Sequence, residues 1–295
     1  SYGTYASDNN TDNQAGWSAD NKYATGLWLT ASTNGNWSWG NIRNVNYQLN
    51  KVLANFKAGK IIGNQENIKQ YIGEMYFFRA YAYFSMLQKW GDLPIITQEM
   101  PVDEGMLVKA SDRRPCNEVA RFIIANLDTA YNDYLQDNFE ARHTRISKDV
   151  AMLFKSRVAL YEASWLRYFA GTPFVPNGKG WPGAQKDYNK GYQYPSGSIE
   201  NEAIYFYKLA AESAQTVADK YIGTLAVNTG KIPQSASDPQ NPYFNIWGTT
   251  SCANTPEVLL WREYSRSLGV TNNIEVAVEN GNSGVGLTRS MVESY

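Results

Sequence analysis

Residues 73–96 constrain the fold more than any other stretch: Gly-Glu-Met-Tyr-Phe-Phe-Arg-Ala-Tyr-Ala-Tyr-Phe-Ser-Met-Leu-Gln-Lys-Trp-Gly-Asp-Leu-Pro-Ile-Ile. They read as an aromatic-rich amphipathic helix that runs into a Trp-Gly-Asp-x-Pro stop. Gly91 can take the left-handed conformation that ends a helix, and Pro94 forbids resumption. Asn67 is a suitable N-cap. Behind it Ile68, Tyr71, Ile72, Met75, Phe78, Arg79, Ala82, Met86 and Leu87 fall on one face up to Trp90.

Similar stripes recur along the chain. Ile42, Val45, Leu49, Val52, Leu53 and Phe56 share helical spacing over 41–56. A helix is expected at 117–134, another from an N-cap at Ser147 to about Gly171, and another at about 200–222. An extended segment is expected at 93–97 and a short strand at 257–261. Residues 171–199 and 228–256 are long, irregular and rich in Pro, Gly and aromatics. Loops of that length in a compact body are functional or disordered as a rule, and the aromatic content argues against disorder.

The expected fold is therefore all-α, with tetratricopeptide-like helical hairpins forming a right-handed solenoid body, long irregular loops and little β-structure. It divides as an N-terminal loop region (1–40), two stacked helix pairs (41–169), and a further helix plus long loops (170–295), within a single domain.

Composition narrows the functional classes. Hydrophobic content of 43% and charged content of 19% are globular values, and the net charge of −1 comes without a Lys/Arg-rich tract, which disfavours nucleic acid. No apolar run approaches the ~18 residues of a membrane helix. The start, Ser1-Tyr2-Gly3-Thr4, has no signal-peptide character, so it suits a cytosolic chain or a trimmed mature segment. Cys116 and Cys252 lack CxxC spacing, which argues against zinc; a single bridge or two buried thiols fits, the thiols being preferred. No metal and no cofactor is expected.

Aromatics make up 14% of the chain, and many lie in polar segments. Trp28, Trp37 and Trp39, interleaved with Asn34, Asn36, Ser38 and Asn41, form the sharpest cluster. Sugar rings offer a C–H face that stacks on indole, and their hydroxyls suit amides that both donate and accept. In an extended segment Trp37 and Trp39 would point the same way, roughly 7 Å apart; the alternative is that one of them staples the loop to the first helix. Trp181, Tyr243, Trp247, Arg262 and Tyr264 form a second group, with packing of the loops onto the helices as the alternative. Glu74 and Arg79, five residues apart and so not sharing a face well, are expected in a buried or half-buried ionic or capping contact that fixes the helix pair. His143, the only histidine, sits between Arg142 and Arg145, a poor setting for a general base, and no hydrolase or phosphate-binding motif is present.

Several stretches carry a family resemblance. Besides 73–96 they are Ile42-Arg43-Asn44-Val45-Asn46 with Leu49; Glu118-Val119 through Leu127-Asp128-Thr129-Ala130; Arg145-Ile146-Ser147-Lys148-Asp149-Val150-Ala151 through Arg157-Val158-Ala159-Leu160-Tyr161; Asn254-Thr255-Pro256-Glu257-Val258-Leu259-Leu260; and Leu287 to Tyr295. In this order the chain resembles the SusD/RagB family, cell-surface glycan-binding lipoproteins of Bacteroidetes. The resemblance implies a tetratricopeptide-rich body, a shallow glycan site, docking onto a SusC-like TonB-dependent transporter, and a place at the cell outer membrane. It also implies a lipid anchor, absent from this sequence, and a chain continuing past Tyr295. The function expected is non-catalytic oligosaccharide or polysaccharide binding and delivery; the rivals are a helical-repeat protein–protein adaptor and a glycoside hydrolase.

Overall fold

The apolar stripes become helices in the computed structural model, which describes residues 8, 11–16, 25–26, 37–272, 274, 279 and 284–294. The longer helices are α1 (Gly40–Lys57), α2 (Gln65–Trp90), α4 (Cys116–Thr129), α5 (Lys148–Tyr168) and α6 (Ile199–Tyr221), with the short α3 (Glu104–Ala110) between α2 and α4. The only strands among the described residues are three residues long. The chain forms two compact units, Ser38–Trp261 and a second made of Ser1–Trp37 with Arg262–Tyr295.

Within Ser38–Trp261 the helices pack in succession: α1 on α2, α2 on α4, α4 on α5, and α5 on α6. The core runs through all of them, with Ile42, Tyr83, Leu87, Ile123, Leu127, Val158, Leu166 and Phe206 nearly inaccessible. Burying each such side chain contributes about 1.5–3 kcal/mol before entropy is counted. Because α2 is flanked by several elements, it buries more of its circumference than a single stripe. Phe77, Tyr83 and Phe84 are buried, whereas Tyr71 and Phe78, placed on the core stripe by spacing, are exposed.

Helix ends follow capping chemistry. Ser147 caps α5, accepting from the Val150 N–H at 3.3 Å. Gly91 closes α2 at φ 65°. The cap of α2 is Asn64 rather than Asn67; its side-chain oxygen accepts from the Glu66 and Asn67 amides at 3.0 and 3.1 Å. The helix expected to reach residue 134 is α-helical only to Thr129, and a π turn carries on over Ala130–Tyr134.

Buried polar groups tie the helices together. Arg79 donates to Asn126 at 2.8 Å and to Asn46 at 3.3 Å, joining α2 to α4 and α1. It does not meet Glu74, which accepts both arms of Arg145 at 2.9 and 2.5 Å and a bond from Gln70 at 3.0 Å. Glu74 and Arg79 thus fix the helices separately, as expected of a structural role but through different partners. The 93–97 segment is extended: Leu93 bridges Arg114, and the Ile96 N–H donates to the Tyr83 hydroxyl at 2.7 Å.

The 171–199 excursion is bound down hard. The Trp181 indole donates to Asp92 at 2.7 Å, and Asp92 also accepts from the Cys116 N–H at 2.9 Å. Tyr192 donates to Asn117 at 2.8 Å. Glu202 accepts from Arg121 at 2.7 and 3.0 Å and from Asn117 at 2.9 Å. Burial opposes the Glu202 charge, but these bonds, led by Arg121, hold its pKa below the ordinary carboxylate value. Residues 257–261 form no strand; they fasten instead to a left-handed turn at His143 (φ 55°), with the Trp261 N–H donating to the His143 carbonyl at 3.0 Å. Both cysteines are free, Cys116 buried and Cys252 half-buried.

In the second unit, β1 (Gln14–Gly16) pairs antiparallel with β2 (Val285–Leu287), Gln14 opposite Leu287. Thr288 caps a short helix at Arg289–Glu293, accepting from the Met291 N–H at 3.1 Å.

Candidate functional site

The 228–256 excursion contains a helix that the sequence reading treated as loop, α7 (Pro242–Gly248). Asn241 builds it. This side chain is 4% exposed and uses its whole amide. The oxygen accepts from the Thr229 and Phe244 N–H groups at 3.3 and 3.4 Å. The nitrogen donates to the Asn228 side chain at 3.0 Å and the Lys231 carbonyl at 2.9 Å. Pro242, fixed in φ, suits the first helical position. The preceding turn closes on Asp238, whose carboxylate accepts from the Gln234 and Ser235 amides at 2.6 and 2.8 Å; these bonds hold its pKa below the usual value.

On this scaffold Tyr243 and Trp247, four residues apart on a helix, share a face. Their ring centroids are 6.1 Å apart with planes at 75°, and Trp247 is 75% exposed. A solvated indole held by a hydrogen-bonded loop offers a flat apolar contact with little ordering cost on binding.

The other residues singled out by sequence scatter. Trp28 and Asn36 lie outside the described residues. Trp37 is exposed, in the second unit. Trp39 is half-buried at the N-cap of α1, edge-on to Tyr83 at 6.1 Å. Asn41 is exposed on the first turn of α1. Arg262 lies over the Tyr264 ring at 5.5 Å in the second unit, both exposed. Trp181 is not a surface residue: at 3% exposure, with its N–H spent on Asp92, it clamps the excursion to the helices.

Sequence reading passed over a cleft of about 400 Å³ in the helical unit, where Asp137, Asn138, Phe139, Ser147, Tyr221 and Asn254 are among the lining residues. Its frame is rigid. His143 meets the Val258 carbonyl through Nδ1 at 2.6 Å. Lys220 and Tyr221 both donate to Asp149, each at 2.6 Å. The Asp149 carboxylate raises the Lys220 pKa, and Glu74 raises that of Arg145. The signal was visible as two separate motifs, Arg145-Ile146-Ser147-Lys148 and Asn254-Thr255-Pro256-Glu257, but nothing local says that they meet.

A family profile described as starch-binding, associating with the outer membrane, and named SusD-like matches residues 1–160. The SusD-like protein P2 of Formosa agariphila is 28% identical over 128 residues, which cover 43% of this chain and 24% of that protein. The SusD-like protein P25 of the same organism is 23% identical over an equal span. The aligned part is thus about a quarter of these curated relatives. Among solved structures, a SusD-like carbohydrate binding protein from Bacteroides fragilis shares 15% identity, with 74% of this chain and 34% of that one covered and a TM-score of 0.46. Another from Bacteroides vulgatus shares 16% identity, with 66% and 33% covered and a TM-score of 0.39. With the profile spanning more than half of its length, the chain belongs to the SusD-like family.

Proposed function

We propose that this protein is a non-catalytic binder of oligosaccharide or polysaccharide at the surface of the outer membrane, and that it delivers its glycan to a SusC-like TonB-dependent transporter. Family membership supports the carbohydrate class and the location. The observation that carries the site is the solvated Trp247 beside Tyr243 on a loop braced by Asn241. Trp37, Asn41, Arg262 and Tyr264, exposed elsewhere on the chain, are the secondary candidates. Stacking at a shallow surface limits affinity to roughly 10–1000 μM.

Calorimetry with soluble starch and other neutral polysaccharides tests this reading. Saturable binding is expected, weakened about tenfold by Trp247→Ala. Unaltered affinity in that variant and in Tyr243→Ala rejects the α7 site; no heat with any polysaccharide rejects the carbohydrate reading.

A protein-binding adaptor is the second reading. It is favoured by exposed Phe78 and Tyr81 on α2 and Leu153 and Leu160 on α5, an apolar set on neighbouring ring contacts such as Tyr81–Phe154. An adaptor gives no sugar response, and a reducing-sugar assay on the same polysaccharides separates binding from hydrolysis.

A further inference from the structure

We propose that the cleft between the α5 entry and the 253–259 segment is a separate subsite for the end of a neutral sugar chain, one or two rings long. The proposal rests on the carbohydrate reading above, but uses none of its residues.

Size admits a small guest: about 400 Å³ lies within the roughly 300–1,000 Å³ of small-molecule sites. Charge selects an uncharged one. The cations at the cleft are already neutralised, Arg145 by a two-pronged bond to Glu74 and Lys220 by Asp149. Asp137 adds an exposed carboxylate to the lining, which repels an acidic sugar and accepts a hydrogen bond from a neutral sugar's hydroxyl. Two groups remain unspent. Asn138 and Asn254 line the cleft, are exposed, and have no side-chain hydrogen bond among the described residues. An amide that can donate and accept together matches vicinal hydroxyls. Phe139 and Leu259 supply apolar wall for the C–H face of a ring.

The frame is set before any guest arrives. The Lys148 N–H donates to the Gln136 carbonyl at 3.1 Å, and the Gln136 N–H to the buried Gln70 at 2.9 Å. The Trp261 indole donates to the Arg142 carbonyl at 2.8 Å. Binding then orders few protein groups, which is what lets a small neutral guest bind at all.

Saturation-transfer NMR on the full chain, with maltose, cellobiose, lactose and mannobiose at millimolar concentration, tests the proposal. At least one disaccharide is expected to give a signal. In a Trp247→Ala background, which silences the α7 platform, a signal is expected to remain, and adding Asn138→Ala with Asn254→Ala should weaken it at least tenfold. Both asparagines are exposed, so unchanged melting of the double variant is expected; side-chain amide shifts of Asn138 and Asn254 on titration give a readout without mutation. Silence of the wild type with all four sugars, a signal in the Trp247→Ala background that survives the added double variant, or one lost with Trp247→Ala alone overturns the subsite. In the first two cases polysaccharide binding that depends on Trp247 leaves the main proposal standing. Loss of polysaccharide binding as well removes both.

Discussion

Glu162 on α5 has its side chain fully buried, and neither carboxyl oxygen finds a hydrogen-bond partner among the described residues. Burial is the main reason its pKa is pushed up to about 8; the adjoining Cys116 thiol, the next largest influence, lowers it, and the charges of Asp92 and Glu202 raise it. The side chain is accordingly protonated at neutral pH, because an unpaired buried carboxylate costs more than holding a proton. The folded pKa lies above the ordinary 4.5, so the folded state holds the proton more tightly. Its stabilising contribution is full below about pH 4.5 and fades as pH climbs to about 8. Glu162→Gln should remove that decline and leave the protein on the order of 4 kcal/mol more stable than wild type at pH 8. Urea unfolding at pH 5 and pH 8 checks it; a wild-type stability that rises over this interval sinks the assignment. Nothing in the local run Tyr161-Glu162-Ala163 announces this, since the burden comes from α4, α6 and the loop after α2.

At the scale of elements, the π turn after α4 explains a glycine in the middle of α2. A Cβ on Gly73 would lie 2.8 Å from Leu135 side-chain carbons and 3.0 Å from the Leu135 backbone nitrogen. The turn presses Leu135 onto the helix, and its N–H donates to the Ala130 carbonyl at 2.8 Å. In an open helix Gly→Ala gains about 1 kcal/mol. Here Gly73→Ala should instead lose about 1–3 kcal/mol through overpacking, measured as a fall in the urea midpoint. Leu135→Ala should recover part of the loss by making room. The helices themselves were legible, because the 3.6-residue period, the Ser147 cap and the Gly91 stop are local signals. The faces of α2 were less so: Phe78 sits on the apolar stripe yet is 47% exposed, because burial on a central helix is set by which neighbours arrive. The π turn and α7 escaped for the same reason, as one depends on packing against α2 and the other on Asn241 closing a loop.

For the whole molecule, the core residues run from Ile42 to Ala210, all within Ser38–Trp261. That unit contains its own core, caps and buried polar ties, the conditions for independent folding. A fragment of residues 38–261 is expected to keep its helical circular dichroism and unfold in a single cooperative transition. A molten fragment, with helix signal but no cooperative melt, would show that the core is incomplete without the remaining chain. The two long excursions divide the labour at this scale. The 171–199 segment is a clamp, pulled in by Asp92 and Asn117; the 228–256 segment carries its aromatic pair outward on α7.

Sequence alone established the helical class, most helix spans and the family kinship, because periodicity, caps and motif order are written within a few residues of one another. It also pointed to aromatic side chains in irregular segments. Whether a given ring grips the core or meets water was decided only by tertiary structure. Trp181 and Trp247 occupy similar Pro- and Gly-rich surroundings, yet one is 3% and the other 75% exposed. The difference lies in a hydrogen-bond acceptor, Asp92, 89 residues away from Trp181, and a polar N–H enters a core only where such a partner waits.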